Sequence, residues 1–362
     1  MPGYPLAPHV NRPVRLRLCY PLKLYAVSFY RLIVMRSCFL GILVYSLMTI
    51  STAGSTPEAP IERAQYHMGT YARVLIYGGT NADADAAFLK IKELDGLLSD
   101  YSPDSEVSEI NRMAGKRPVK ASPDVLDVLK EALYVSGETD GAFDPTIGAL
   151  TIGVYRFGRD GGRVPGDEEV RKAKSLVDYR YLRIEGGEVY LEREGMMLDL
   201  GGIGKGYAVE KAVRVLKRRG IKKGIVSLSG DIKVFGSDIE IGIRDPDGVG
   251  TIASFHTGTR ELAISTSGGY ERVIDPQGKA YHHLLVPSTG KPGRDFLSVT
   301  VILDGDSALA DAYATSLFVM GKDRSIEFLK KHPEIGVFAV LPGGEVYYNE
   351  RLKSLVTGFK VL

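Results

Sequence analysis

Cysteine is nearly absent from this 362-residue chain: there are two, Cys19 and Cys38, both within the first 55 residues. Residues 56–362 have none, which excludes disulfide scaffolds, thiolate zinc sites and cysteine nucleophiles from the body of the protein. A surplus of positive charge is missing as well. The formal charge is +2, yet residues 1–55 hold six basic residues (Arg12, Arg15, Arg17, Lys23, Arg31, Arg36) and no acid, leaving residues 56–362 at about −4. A mildly acidic body argues against nucleic acid as a partner, because binding a phosphate backbone needs a basic face. The body also has no fixed-period repeat and no low-complexity tract.

The apolar run Cys38–Ile50 has only 13 residues, roughly 20 Å as a helix against a hydrocarbon core of ~30 Å. Arg36 precedes it and STAGSTPEAP follows, the order of a secretory signal peptide. A cleaved signal in residues 1–55 is therefore expected rather than a stable span, with Met35 as a natural start. Membrane association through this segment, or a segment that is never exported, are the alternatives. Cys38 opens the apolar run and does not follow it, the wrong place for a lipid-modified cysteine. The expected location is extracytoplasmic.

Residues 56–63 read as a linker and residues 64–362 as one domain, with 44% hydrophobic and 25% charged residues over the chain, a globular composition. Helical periodicity covers Ala84–Leu98 and Pro123–Ser136, the latter opened by a Ser122-Pro123 cap. Strand-like stretches include Tyr71–Tyr77, Tyr181–Ile184, Val189–Leu191, Met196–Leu200, Gly224–Leu228, Ile232–Phe235 and Ile239–Ile243. Leu262–Ser265, Val299–Leu303 and Gly336–Leu341 follow. Hairpin spacing mixed with single helices predicts an α+β fold.

Four stretches could carry chemistry. In Leu198–Gly220, four glycines within six residues lead into a helix, a turn whose backbone N–H groups can approach an anion while Lys205 adds a full charge. Asp199 could hold a hydroxyl, an amide or a ring N–H. The turn is equally readable as a plain strand-to-helix connection. In Asp304–Gly321, Asp311 and Thr315 lie four apart on one helical face, a pair suited to a hard cation such as Mg²⁺, or simply to capping and backbone bonding. In Gly141–Gly148, Asp144 before Pro145 projects from a turn or caps it. In Thr266–Pro292, His282 and His283 precede a Pro-Ser-Thr-Gly turn, and a histidine is a natural base near neutral pH.

Taken in order, these stretches resemble the ApbE family of FAD:protein FMN transferases. The resemblance covers roughly residues 64–345. It rests on His67-Met68-Gly69-Thr70, SDYSPDSEVSEIN (99–111), GAFDPT (141–146), LDLGGIGKGYAVEKA (198–212) and LSGDIKVFG (228–236). GIRDP (242–246), ISTSGGYER (264–272), HHLLVPSTGKP (282–292) and ADAYATSLFVMG (310–321) complete it. It implies a single domain of mixed sheets and helices with FAD in a central cleft. Met68, Tyr101, Ala142, Phe143, Asp144, Asp199, Lys205 and Leu285 would contact FAD. Mg²⁺ would be held by Asp311, Thr315 and the backbone oxygen of Gly202.

The implied reaction moves FMN from FAD to a threonine of an acceptor protein through a phosphodiester, releasing AMP, with His283 as base and Lys205 assisting. The acceptor would be a subunit of a sodium-pumping or Rnf-type redox complex, or a flavin-binding domain. An FAD pyrophosphatase giving FMN and AMP, or a non-enzymatic FAD-binding protein, are the alternatives. Two positions depart from the family pattern: Val286 replaces the usual Asp of Asp-Pro-x-Thr-Gly, and Ser229 replaces the first Gly of Gly-Gly-Asp.

Overall fold

The computed structural model describes residues 59–246, 249–270, 273–274 and 281–362. The signal expected in residues 1–55, and Glu271 and Arg272 of the 264–272 motif, lie outside them. The domain is α+β, built on an eight-stranded sheet in which every neighbouring pair is antiparallel. Its order across the sheet is Ile61–His67, Thr70–Tyr77, Lys223–Leu228, Asp231–Phe235, Leu262–Gly268, Ser298–Leu303, Gly336–Val340 and Val346–Tyr348.

Alternation along the strands gives this sheet two buried faces. Val226 and Leu228 join Val74, Ile76, Val299 and Val301 in a core beneath the helices Asn81–Leu98, Gly204–Arg218 and Ser307–Met320. The intervening Ile225, with Val234, Ile264 and Phe338, faces Ile241, Ile243, Ala253 and Phe255 of a three-stranded sheet (Glu240–Arg244, Thr251–His256, Thr357–Val361). Each such side chain, taken fully out of water, contributes about 1.5–3 kcal/mol. The Ser307–Met320 helix is buried almost all round, which explains its run of alanines: small residues let it sit against both the sheet and the Gly204–Arg218 helix.

Two expectations change. The strand Ile61–His67 begins inside the stretch assigned to the linker, because its residues pair in full register with Thr70–Ile76. Met196–Leu200 is not a ladder strand. It makes a single parallel bridge, Met197 to Ile147, and its backbone is satisfied elsewhere: the Asn111 amide both accepts from Leu198 N (2.6 Å) and donates to Leu198 O (3.0 Å), and Asp199 N donates to Pro145 O (2.8 Å). An asparagine side chain thus replaces a neighbouring strand. Of the two readings of Asp144, projecting from its turn or capping it, the structure shows the capping one, as described below.

Candidate functional site

A cavity of about 540 Å³ opens where the Gly-rich turn, the Ser307–Met320 helix and the 281–287 segment meet. It is within the size range of small-molecule and cofactor sites. Met68, Tyr101, Ala142, Phe143, Asp144, Asp199, Gly202, Lys205, His283, Leu285, Asp311 and Thr315, drawn from stretches up to 247 positions apart, all line it.

The junction between the Gly-rich turn and the Asp/Thr helix is the tightest part. Gly206 N donates to Asp311 Oδ2 at 3.0 Å, so the carboxylate caps the first turn of the Gly204–Arg218 helix. Only glycine fits there: a Cβ at Gly206 would lie 2.2 Å from Ser307 O and 2.7 Å from Asp311 Cβ. One turn earlier, a Cβ at Gly202 would meet Thr315 Oγ1 at 2.9 Å, and that hydroxyl also lies 3.2 Å from Ser267 Oγ. Gly204 both starts the helix and lines the cavity, so the positive end of the helix dipole opens toward it.

Charge is concentrated at the same point. Lys205 Nζ sits 3.0 Å from Asp231 Oδ2 and 3.7 Å from Asp311 Oδ2. Both carboxylates are 3% exposed, and Asp231 also accepts from the Ser265 hydroxyl. Two buried carboxylates thus share one ammonium. Burial, and then repulsion from Asp231, push the Asp311 carboxyl up to about 7, against the pull of Lys205. In the sequence Asp231 stands out only as part of a motif that departs from the family pattern. Its partnership with Lys205 has no local signal, because one lies on a helix and the other on a strand further along the chain.

The other carboxylates bind their own chain. Asp199 accepts from Thr151 Oγ1 (2.6 Å) and Gly201 N (2.8 Å), fixing the turn. Asp144 accepts from Thr146 N (2.8 Å), Thr146 Oγ1 (2.6 Å) and Tyr179 N (2.9 Å), and burial raises its carboxyl to about 6. The capping reading of Asp144 is therefore the geometry observed, although the residue still borders the cavity. Met68 and Gly69 form the two-residue turn between the first strands with φ of +50° and +75°, as a type I′ turn requires. Met68 takes this left-handed conformation against its own preference, and the Asp95 carboxylate holds it through Met68 N at 2.8 Å.

The two histidines separate cleanly. His282 turns away from the cavity: its Nε2 lies 2.8 Å from Gly293 O and its ring meets Phe318 edge-on at 5.4 Å. His283 lines the cavity beside Leu285 and Pro287. Val286 packs against the helix-side core. Among the described residues no group of three or more His, Cys, Asp or Glu could hold a metal ion, so a cation here would rest on one or two carboxylates with hydroxyl and backbone oxygens.

Residues 68–339 match the model of the ApbE family. The chain belongs to that family. It is 29% identical over 333 residues to the FAD:protein FMN transferase of Treponema pallidum (strain Nichols), covering 85% of this chain and 92% of that one. A Vibrio cholerae FAD:protein FMN transferase is 30% identical over 243 residues, covering 65% and 72%. Among solved structures, the ApbE protein from Thermotoga maritima superposes with a TM-score of 0.76 at 30% identity, over 82% of this chain and 99% of that one. The flavin transferase ApbE from Vibrio cholerae gives 0.72 at 26% identity, over 83% and 100%.

Proposed function

We propose that this ApbE-family protein is an FAD:protein FMN transferase that moves FMN from FAD to a threonine of an acceptor protein in a Mg²⁺-dependent reaction, releasing AMP. The observation that carries the reading is the Gly206–Asp311 contact, which joins an anion-binding Gly-rich turn to an oxygen donor set at the floor of one cavity. Relatives in the family are named FAD:protein FMN transferases, which supports the transfer of FMN from FAD to a protein.

The residues fit both groups. Gly201, Gly202 and Gly204 bring backbone and a helix N-terminus to the cavity, where a pyrophosphate would be held. Asp311, Thr315 and the Gly202 carbonyl offer hard oxygens only, and two buried carboxylates against one ammonium leave negative charge that a divalent cation would neutralise. Mg²⁺, when bound, would offset the pyrophosphate charge as AMP departs. Lys205 adds a fixed positive charge at the same place. His283 takes the proton from the threonine hydroxyl as that oxygen bonds to the FMN-side phosphorus and the bond to the AMP oxygen breaks. The product is a phosphodiester between threonine and FMN.

Extracytoplasmic location is part of the same proposal and rests on the order of charges and apolar residues in positions 36–60. Among the described residues no helix is long and apolar enough to cross a membrane.

The test uses the full chain with FAD, Mg²⁺ and an acceptor domain carrying a threonine. Mass spectrometry should find FMN on the acceptor with a matching amount of AMP, and a chelator should stop both. Free FMN and AMP without modified acceptor would refute the transferase in favour of hydrolysis, and bound FAD without AMP would refute catalysis altogether.

A further inference from the structure

Arg159 lies outside every motif that the sequence brings forward, yet it ties two cavity-lining loops together. Its Nη2 donates to Asp100 O at 2.8 Å and to Asp100 Oδ2 at 2.5 Å. Its guanidinium carbon sits 4.2 Å from the centre of the Tyr101 ring. The same two loops are joined again where Tyr101 OH donates to Phe157 O at 3.1 Å. Gly158, at φ +67°, lets that contact form, since a Cβ there would lie 2.8 Å from Tyr101 OH. Asp100, Tyr101, Phe157 and Gly158 all line the cavity.

Three features show that this is a built arrangement. Arg159 Nε is buried without a hydrogen-bond partner, so the guanidinium is seated to cover the ring rather than to satisfy each of its donors. Asp100 is pressed toward protonation by burial and by the neighbouring Asp199, and Arg159 opposes both. The planar guanidinium does two things that an ammonium does less well: it pairs with a carboxylate at its edge and stacks on an aromatic at its face.

We propose that Arg159 is a positioning residue that locks Asp100 and Tyr101 into one rigid rim of the flavin cavity, so that an aromatic ring system enters against a preformed wall. This rests on the reading of the cavity as the FAD site. With the guanidinium seated over Tyr101, that face of the ring is closed to a ligand and the ring plane is fixed. With the charge of Asp100 matched, the rim does not add a second uncompensated carboxylate beside Asp199 where an anionic dinucleotide must pass. Arg159 therefore acts on binding and not on the chemical step.

The experiment compares full-chain wild type, Arg159→Gln and Arg159→Lys. It measures the FAD dissociation constant by flavin fluorescence, KM and kcat from AMP release, and the thermal midpoint. Arg159→Gln should raise KM and the dissociation constant about tenfold, consistent with losing a partly buried ion pair and a cation–π contact together, while kcat stays within about threefold. Arg159→Lys, which keeps the charge and loses the planar stack, should fall between. Wild-type KM in Arg159→Gln overturns the proposal, and so does a fall in kcat at unchanged KM. If Arg159→Gln does not fold, Arg159→Lys decides: a raised KM supports the role and a wild-type KM overturns it. Wild-type protein that binds no FAD in the titration would instead overturn the reading of the cavity, leaving a different signature.

Discussion

The contact between Gly206 and the Ser307–Met320 helix gives the sharpest test, because the structure contains its own control. A methyl at Gly206 would lie 2.2 Å from Ser307 O and 2.8 Å from Ser307 C, both backbone atoms that cannot rotate away. Relief requires the two helices to separate by several tenths of an ångström. Overpacking of that kind costs about 1–3 kcal/mol. Stretching the Gly206 N–H bond to the Asp311 carboxylate adds to it, since a hydrogen bond to a charged group is worth about 1.5–3 kcal/mol. Gly206→Ala should therefore destabilise by about 2–4 kcal/mol in all. It should also move Asp311 away from Gly202, so that flavin transfer falls along with stability. A methyl at Gly96, inside the Asn81–Leu98 helix, would meet nothing within 4 Å. There the same substitution should stabilise by about 0.4–1 kcal/mol through the unfolded chain and the helix preference of alanine. Urea unfolding with flavin transfer measured in parallel reads both effects. Equal midpoints for the two variants, or a Gly206→Ala protein with wild-type transfer, would refute the packing argument.

Other substitutions probe the site and its surroundings. Asp311→Ala should abolish Mg²⁺-dependent AMP release while folded protein is retained, and retained turnover would remove the residue from the cation site. His283→Ala should lower transfer by about 10²–10⁴-fold, the usual weight of a general base. His282→Ala should instead lower the unfolding free energy, read from urea titration, by about 1–2 kcal/mol, for the lost bond to Gly293 O and the contact with Phe318; equal effects of the two variants on transfer would erase the distinction. Glu131 has a buried Oε2 without a hydrogen-bond partner, and burial followed by the charges of Asp306 and Asp127 raises its carboxyl to about 8. Its folded value lies above its unfolded value, so stability is intact below about pH 4.5 and is lost as the pH rises through 8. Glu131→Gln should therefore be more stable than wild type at pH 9 by about 1–2 kcal/mol, a fraction of the full shift because the group is partly hydrated. It should match wild type at pH 4, and a constant difference across pH would sink this account.

What can be read in the sequence is local. The central strands and the long helices carry their own periodicity, and the site motifs carry their glycines and carboxylates, so those cavity residues can be named from the sequence. What cannot be read is set by partners far along the chain. Met196–Leu200 has a strand's composition, but its backbone is claimed by Asn111, 87 positions away from Leu198. The strand Ile61–His67 is hidden by a composition that alternates charged and apolar residues weakly on an edge. Arg159 and Asp95 belong to no motif, and their importance lies wholly in what they touch: a ring and carboxylate for one, a strained turn for the other.

The two departures from the family pattern gain different weights once placed. Ser229 adopts φ +53° in the tight connection between Lys223–Leu228 and Asp231–Phe235, a conformation that glycine reaches at no cost and serine does not. Its substitution is thus one of strain, about 1 kcal/mol, next to the carboxylate that holds Lys205. Val286 sits instead in a two-residue ladder with Lys291 and packs against the core, while its neighbours Leu285 and Pro287 face the cavity. A carboxylate at 286 would start from that core-packed position and not from the cavity wall. The loss of the family's carboxylate thus falls on a side chain that packs against the core, and not on one of the residues around His283 that wall the cavity.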